Sequence, residues 1–201
     1  MAVKARIIRA DDVVRGTWSG GSTAEYYSWP EGSAFARRDF IFSICSATVD
    51  LEYSTFTPYP EHDRVILSVS GGFALSHDGE RRELDRLEPH AFTGEAVTES
   101  FGRYSDFNLV MRRSVCRGGM SSAVIAPGTA VYSSTGSAGG ERIVTVYCAE
   151  GEISLIGRGG AALKSGDMLV LEGLGYSEAV GVTSDNGGVA VFCDVTVRKE
   201  D

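Results

Sequence analysis

The sequence is poor in the side chains from which most metal centres and hydrolytic sites are built. Its 201 residues include three histidines, His62, His77 and His90, and none of them forms the closely spaced pair of a multi-histidine metal site. The Gly-x-Ser-x-Gly motif that presents a nucleophilic serine is also missing. We therefore expect no metal ion and no other cofactor, and the sequence favours a binding protein over an evident catalyst.

Long hydrophobic runs and clusters of positive charge are missing as well. No apolar stretch approaches the roughly 20 residues that cross a bilayer, and the first residues, MAVKARIIRADD, lack the apolar core of a signal peptide. The formal net charge is -8, and Lys and Arg occur only singly or in pairs. This pattern disfavours nucleic acids and anionic membranes as partners. We expect a cytoplasmic protein.

Cysteine is present but not in a pattern that suggests a disulfide or a zinc site. The residues are far apart and stand beside apolar or β-forming neighbours, which is typical of buried free thiols. They are Cys45, Cys116, Cys148 and Cys193.

Residue patterns typical of β-strands make up most of the sequence. Short runs rich in β-branched and aromatic residues alternate with Gly, Asp, Asn and Ser, and no segment has a long helical period. Asp78-Gly79 and Asn186-Gly187 are dipeptides typical of tight hairpins. The pattern predicts an all-β protein, with strands that include Val65–Val69, Phe107–Met111, Ile143–Cys148, Met168–Leu171 and Val189–Val197.

An internal repeat predicts two similar lobes. Asp63-Arg64-Val65-Ile66-Leu67 resembles Glu141-Arg142-Ile143-Val144-Thr145, and each copy continues into a second apolar strand and a turn. That order resembles the two halves of a cupin barrel, written twice. We therefore expect a double cupin, with an N-terminal lobe over residues 1–116 and a C-terminal lobe over residues 117–201.

Polar residues on one face of a strand are the first candidates for a site. The period of two in a strand places Asp106, Asn108, Val110 and Arg112 on one face. The other face carries Phe107, Leu109 and Met111. The side chains of Asp106 and Asn108 can bind a ligand, or they can stabilise the start of the strand through hydrogen bonds to backbone groups.

A second group of candidates comes from the first lobe. Arg64 can hold a carboxylate ligand or form an ion pair with Asp63 or Asp106. Small residues between Phe35 and Phe56 leave room for a cavity. The hydroxyl of Ser46 can line that cavity, or it can bond to neighbouring backbone.

Several motifs between Trp18 and Arg113 occur in an order that is typical of one known family. They are WSGGSTAE from Trp18, Ser46-Ala47-Thr48-Val49 with Ser54-Thr55-Phe56, Asp63-Arg64, Phe92-Thr93-Gly94-Glu95 and Asp106-Phe107-Asn108. Through them the chain resembles the HutD/Ves family of double cupins, which is associated with histidine utilisation. Phe42-Ser43 stands where the family commonly carries an aromatic residue followed by arginine.

The resemblance implies a ligand and a role. Relatives are thought to bind small carboxylates from histidine breakdown, such as formylglutamate, and to moderate the pathway without catalysing a step. It implies that Arg64 contacts the carboxylate and that Asn108 is a polar partner. From the segments that match the family we expect a ligand-binding site made of Ser46, Phe56, Arg64, Phe92, Asp106 and Asn108.

Our first hypothesis is therefore a metal-free double cupin that binds a small carboxylate metabolite and acts as a regulator or accessory protein. A cupin enzyme of the isomerase or lyase type is the alternative, with Asp106, Glu25 or His90 as acid or base. A structural homo-oligomer is a third hypothesis. The sequence sets no oligomeric state and is compatible with a homodimer.

Overall fold

β-Strands make up most of the protein in the computed structural model, which describes residues 3–134, 136, 138–157 and 159–198. The helices in this part of the chain are two short 3₁₀ turns, Ala10–Asp12 and Phe35–Arg37, and none is long and apolar enough to span a bilayer. The prediction of an all-β protein is confirmed. In chain order the strands are β1 Lys4–Ile8, β2 Val14–Trp18, β3 Gly21–Trp29, β4 Phe42–Val49, β5 Tyr53–Thr55, β6 His62–Ser68, β7 Phe73–His77, β8 Glu80–Leu84, β9 His90–Thr93, β10 Thr98–Phe101, β11 Tyr104–Arg112, β12 Cys116–Ile125, β13 Thr129–Tyr132, β14 Gly140–Leu155, β15 Ala162–Lys164, β16 Met168–Glu172, β17 Gly181–Ser184 and β18 Gly188–Arg198.

The chain divides into two compact units. The first unit is Val13–Cys116, and the second combines the described residues of the first twelve positions with those that follow residue 116. The sequence placed residues 1–116 together, but β1 pairs with β16 in antiparallel register. Ile7 packs against the core of the second unit, and this burial of apolar surface explains why the N-terminal strand belongs there.

Two antiparallel sheets form the first unit. One has the strand order β2-β3-β4-β11-β6-β9 and the other the order β5-β10-β7-β8. Their shared core contains apolar residues from both sheets, because each strand turns alternate side chains inward. This core consists of Val49, Ile66, Phe73, Leu75, Leu84 and Tyr104.

The second unit is organised around the long strand β14. One path of strands runs β1-β16-β14-β17-β13, while β18 pairs with both β14 and β12 and β15 pairs with β14. A register shift between Cys148 and Glu150 interrupts the pairing of β14 with β18. The core beneath these strands is aliphatic apart from Cys148 and Phe192.

The predicted hairpin at Asp78-Gly79 joins β7 to β8, with φ angles of 50° and 91°. Gly187, with a φ of 88°, lies in the second predicted turn, between β17 and β18. The cysteines are all free, as predicted. Cys45 differs from the others in being only partly buried.

Candidate functional site

A cavity of about 400 Å³ opens in the first unit. Its walls come from strands β2, β3, β4, β6 and β11, from the 3₁₀ turn Phe35–Arg37, and from the end of β5 with the segment that follows it. The lining combines apolar and aromatic residues with polar and charged side chains. This combination is typical of sites for small organic ligands.

Strand register decides which side chains enter the cavity. Asp106 pairs with Ala47 and Asn108 pairs with Cys45 across β11 and β4. Paired residues of antiparallel strands share a face, so these four side chains lie on the cavity side. Phe107, on the opposite face, is fully buried. The alternation predicted for this strand is therefore the one that the structure has.

Three polar side chains form a hydrogen-bonded chain at the wall. Arg64 donates from a terminal nitrogen to Oδ1 of Asn108 at 3.3 Å, and Asn108 donates from Nδ2 to Oδ1 of Asp106 at 2.5 Å. The backbone N–H of Ala47 donates to the same carboxylate oxygen at 3.0 Å. All three side chains are buried, with exposed fractions of 8%, 4% and 2% for Arg64, Asn108 and Asp106.

Aromatic rings surround the guanidinium group of Arg64. Its Cζ lies 4.9 Å from the ring centre of Phe56, 5.1 Å from that of Phe92 and 5.8 Å from that of Tyr59. Ring faces attract cations and exclude water. The Nε atom of Arg64 is buried and has no hydrogen-bond partner, so one donor of this cation remains unsatisfied.

Burial also changes the acid–base behaviour of the site. It raises the pKa of Asp106 to about 7, although the Ala47 N–H, the charge of Arg64 and the bond from Asn108 each favour the ionised form. Burial likewise lowers the pKa of Arg64, although a guanidinium stays protonated in proteins. Desolvation raises the pKa of the Cys45 thiol to about 12, which keeps it neutral.

The structure brings together most of the residues selected from the sequence. Phe56, Arg64, Asp106 and Asn108 line the cavity. Phe92 stands behind this lining, against Arg64.

Ser46 lies on β4 and is among the residues that line the cavity. However, its register partner is Phe107, so its side chain lies on the opposite face. Cys45 and Ala47 occupy the positions of β4 whose side chains face the cavity. The predicted ligand-binding site does not include them.

Other lining residues were not selected from the sequence as ligand contacts. Tyr59 lies in an irregular segment, where no periodicity could predict its direction. Glu25 lies on β3, and its Oε1 accepts hydrogen bonds from the Ser28 hydroxyl at 2.6 Å and the Phe35 N–H at 2.8 Å. These two bonds fix one oxygen of its carboxylate in place.

The histidines lie apart from the cavity lining. Nε2 of His77 is 2.9 Å from Nε2 of His90, whereas His62 bonds through Nδ1 to the Pro60 carbonyl at 2.7 Å. Burial lowers the pKa of both His77 and His90. In the described part of the chain, no three His, Cys, Asp or Glu side chains converge as a metal site.

Comparison with known proteins identifies the family. The HutD family model matches residues 10–189. The chain belongs to the HutD family. The resemblance read from its N-terminal motifs is thereby confirmed and extends through most of the chain. No curated protein matches it.

Solved structures share this fold. A conserved protein of unknown function from Pseudomonas aeruginosa PAO1, PA5104, superposes with a TM-score of 0.78 at 21% identity, over 98% of this chain and 100% of its own. HutD from Pseudomonas fluorescens SBW25, solved in a formate condition, gives a TM-score of 0.76 at 25% identity, with the same coverage.

A cupin 2 conserved barrel domain protein from Leptotrichia buccalis superposes with a TM-score of 0.54 at 10% identity, over 96% of each chain. These comparisons confirm the predicted cupin fold, and in the described part of the chain the strands form sheets rather than a closed barrel.

Proposed function

We propose that this HutD protein binds a small carboxylate metabolite in the first-unit cavity and does not convert it. It would act in the cytoplasm as a regulatory or accessory protein of histidine utilisation. The observation that carries the proposal is a difference between two arginines, Arg64 and Arg142, which occupy matching positions in the internal repeat.

Arg142, in the second unit, is a fully compensated buried cation. Its Nε donates to Oδ1 of Asp194 at 3.0 Å and its Nη2 donates to Oδ2 at 2.6 Å. Its remaining donors reach the backbone carbonyls of Gly175, Glu178 and Ser134. Asp194 lies opposite Val144, two residues beyond the arginine.

The position that holds a carboxylate beside Arg142 holds an amide beside Arg64. Asn108 lies opposite Ile66, again two residues beyond the arginine. Asn108 therefore accepts one hydrogen bond from Arg64 but brings no negative charge. Asp106 is the nearby acid, yet its hydrogen bonds come from Asn108 and Ala47 and its pKa is raised to about 7.

A ligand carboxylate would supply the missing charge. A buried cation without an anion is costly, and a guanidinium fork matches a carboxylate in shape. The orphaned Nε of Arg64 supports a ligand oxygen at that side of the group. The rings of Phe56 and Phe92 would exclude water and strengthen the interaction.

The experiment is a thermal-shift screen followed by calorimetry with formate, glutamate, urocanate and formylglutamate, because ligands that bind only the folded state raise its stability. Formate is included because it is the smallest carboxylate and was in the condition of the P. fluorescens HutD structure. We expect dose-dependent stabilisation by at least one carboxylate.

Arg64→Gln should weaken that binding by about 1.5–3 kcal/mol, the usual loss for a hydrogen bond to a charged group. Arg103→Gln is the matched control, because Arg103 pairs with Glu52 on the exposed surface. Unchanged affinity in a folded Arg64→Gln protein would exclude the proposed contact.

The raised pKa of Asp106 favours a second candidate, a cupin enzyme of the isomerase or lyase type. A carboxyl group that titrates near pH 7 is suited to general acid or base catalysis. Product formation from the same carboxylates, lost in Asp106→Asn while binding persists, would support the enzyme. Binding without turnover at any pH from 5 to 9 supports the non-catalytic role.

A further inference from the structure

Glu25 is an acidic residue of the cavity lining that the Arg64 contact does not use. It lies on β3 and is only partly buried. Its Oε1 is held by the Ser28 hydroxyl and the Phe35 N–H. Within the part of the chain that the structure describes, no other donor reaches this carboxylate and no cation pairs with it. The lone pairs of Oε2 are therefore left for a donor that the described residues do not supply.

Strand pairing places Glu25 in one row with the residue that holds Arg64. Cys45 of β4 pairs with Glu25 of β3 on one side and with Asn108 of β11 on the other. Neighbouring strands are about 4.8 Å apart, so the Cα atoms of Glu25 and Asn108 are separated by roughly 10 Å. Asn108 in turn accepts from Arg64. The cavity wall therefore presents an acid and a guanidinium at two separate places.

The Cys45 thiol responds to both charged groups. Arg64 lowers its pKa and Glu25 raises it, in addition to the larger effect of burial. These opposite effects agree with the strand register, which places Cys45 between Glu25 and the partner of Arg64. A small ligand that enters the cavity would therefore lie within reach of both groups.

Asp106, another acid of the lining, is less suited to accept a hydrogen bond from a ligand. It is almost fully buried, and its Oδ1 already accepts from Asn108 and Ala47. Burial raises its pKa to about 7, so it is partly protonated at neutral pH. Glu25, which is more exposed, is the acid that a ligand can reach.

We propose that Glu25 selects carboxylate ligands that also carry an N–H donor, in an ammonium or an amide group. Arg64 would bind the ligand carboxylate while Oε2 of Glu25 accepts from the ligand nitrogen. A ligand without such a donor would cover Oε2 and leave it unsatisfied, which is costly for a charged group. The inference rests on the proposed carboxylate function and narrows its ligand class to amino acids and their N-acyl derivatives.

Calorimetry with three ligands tests the need for an N–H group. L-Glutamate carries an ammonium and N-formyl-L-glutamate an amide N–H, whereas glutarate has the same dicarboxylate skeleton without nitrogen. We expect at least one of the two nitrogen-bearing ligands to bind about tenfold or more tightly than glutarate, the usual effect of a hydrogen bond to a charged group. The preferred ligand shows whether the donor is an ammonium or an amide.

Glu25→Gln tests the residue. The oxygen of the new amide can still accept from Ser28 and Phe35, while its NH₂ group replaces Oε2, so the local bonding is kept and the acceptor is lost. We expect the preference to disappear, with the affinity for glutarate unchanged or higher because a negative charge has been removed. Glu52→Gln is the matched control, because Glu52 pairs with Arg103 on the exposed surface, and it should keep the preference.

Three results would overturn this inference while leaving the Arg64 contact intact. They are wild-type binding of carboxylates without preference over glutarate, an unchanged preference in folded Glu25→Gln, and an equal loss of affinity for all three ligands in that variant, which would indicate a structural role. If no carboxylate binds at all, both proposals are wrong. Thermal unfolding checks that the variant folds, and if it does not, the comparison of ligands in the wild type still decides.

Discussion

Asn108 lies between a guanidinium and an acid: it accepts from Arg64 and donates to Asp106. In the second unit the matching position holds Asp194, which pairs directly with Arg142. The side chain at this one position therefore decides whether the arginine is neutralised by the protein or remains available to a ligand.

Asn108→Asp should close the site. The new carboxylate would pair with Arg64 as Asp194 pairs with Arg142, so we expect the affinity for carboxylates to fall at least tenfold while the protein stays folded. Calorimetry with the best carboxylate of the screen measures the loss. Asn108→Ala removes the amide without adding charge and is the control. Wild-type affinity in the Asp variant would show that the ligand does not need this cation.

The pH dependence of stability should reveal Asp106. Its pKa is about 7 in the folded protein and about 3.9 in an unfolded chain. Between these values the folded state holds more protons than the unfolded state, so the free energy of unfolding falls as the pH rises. Below about pH 4 both states are protonated, and above about pH 7 both are ionised.

We expect the contribution of Asp106 to the free energy of unfolding to fall by roughly 2–4 kcal/mol between pH 4.5 and 7.5, on the basis of 1.36 kcal/mol per pKa unit. Urea unfolding of wild type and Asp106→Asn at both pH values measures it, since the variant lacks the titrating group. Parallel pH profiles for the two proteins would show that the pKa of Asp106 is not raised.

Arg142 should be a strong determinant of stability in the second unit. Its side chain is 2% exposed and that of Asp194 is 19% exposed, so Arg142→Met leaves a poorly solvated carboxylate and several carbonyls without donors. We expect a loss of about 3 kcal/mol in the free energy of unfolding.

Arg9→Met is the comparison for Arg142→Met, because Arg9 is 51% exposed in its ion pair with Asp167. It should cost less than about 1 kcal/mol. Equal losses in the two variants would contradict the role assigned to burial.

Gly94 should not tolerate a side chain. A Cβ atom there would lie 2.0 Å from the carbonyl oxygen of Tyr59, and the backbones of these two residues are joined by a hydrogen bond. Gly94→Ala would push the Tyr59 segment outward, so we expect a loss of about 2–3 kcal/mol and weaker carboxylate binding.

Gly71→Ala is the matched control for this change, because nothing lies within 4 Å of a Cβ atom at Gly71. Its unfolding free energy should stay within about 1 kcal/mol of wild type. If the two alanine variants are equally stable, the close approach at Gly94 has no energetic consequence.

The sequence was sufficient for the features that depend on local pattern. The period of two in β11 predicted that Asp106 and Asn108 share a face, and the order of the family motifs brought Arg64 and Phe56 into the same group. Short runs of β-branched residues with Asp78-Gly79 between two of them were enough to predict strands and a hairpin.

Features that depend on distant pairing could not be predicted in this way. Both faces of β4 carry small residues, so only its pairing with β11 shows that Cys45 and Ala47, rather than Ser46, point into the cavity. The contact of His77 with His90 joins two sheets, and no spacing along the chain indicates it.

The pairing of β1 with β16 gives the chain an order of assembly. Residues 4–8 are made first, but their partners Met168–Glu172 are made only after the whole first unit. During synthesis β1 therefore stays without its partner strand until Met168–Glu172 has been made. A fragment that begins at residue 117 would leave one edge of β16 unpaired, whereas the first unit is continuous in sequence.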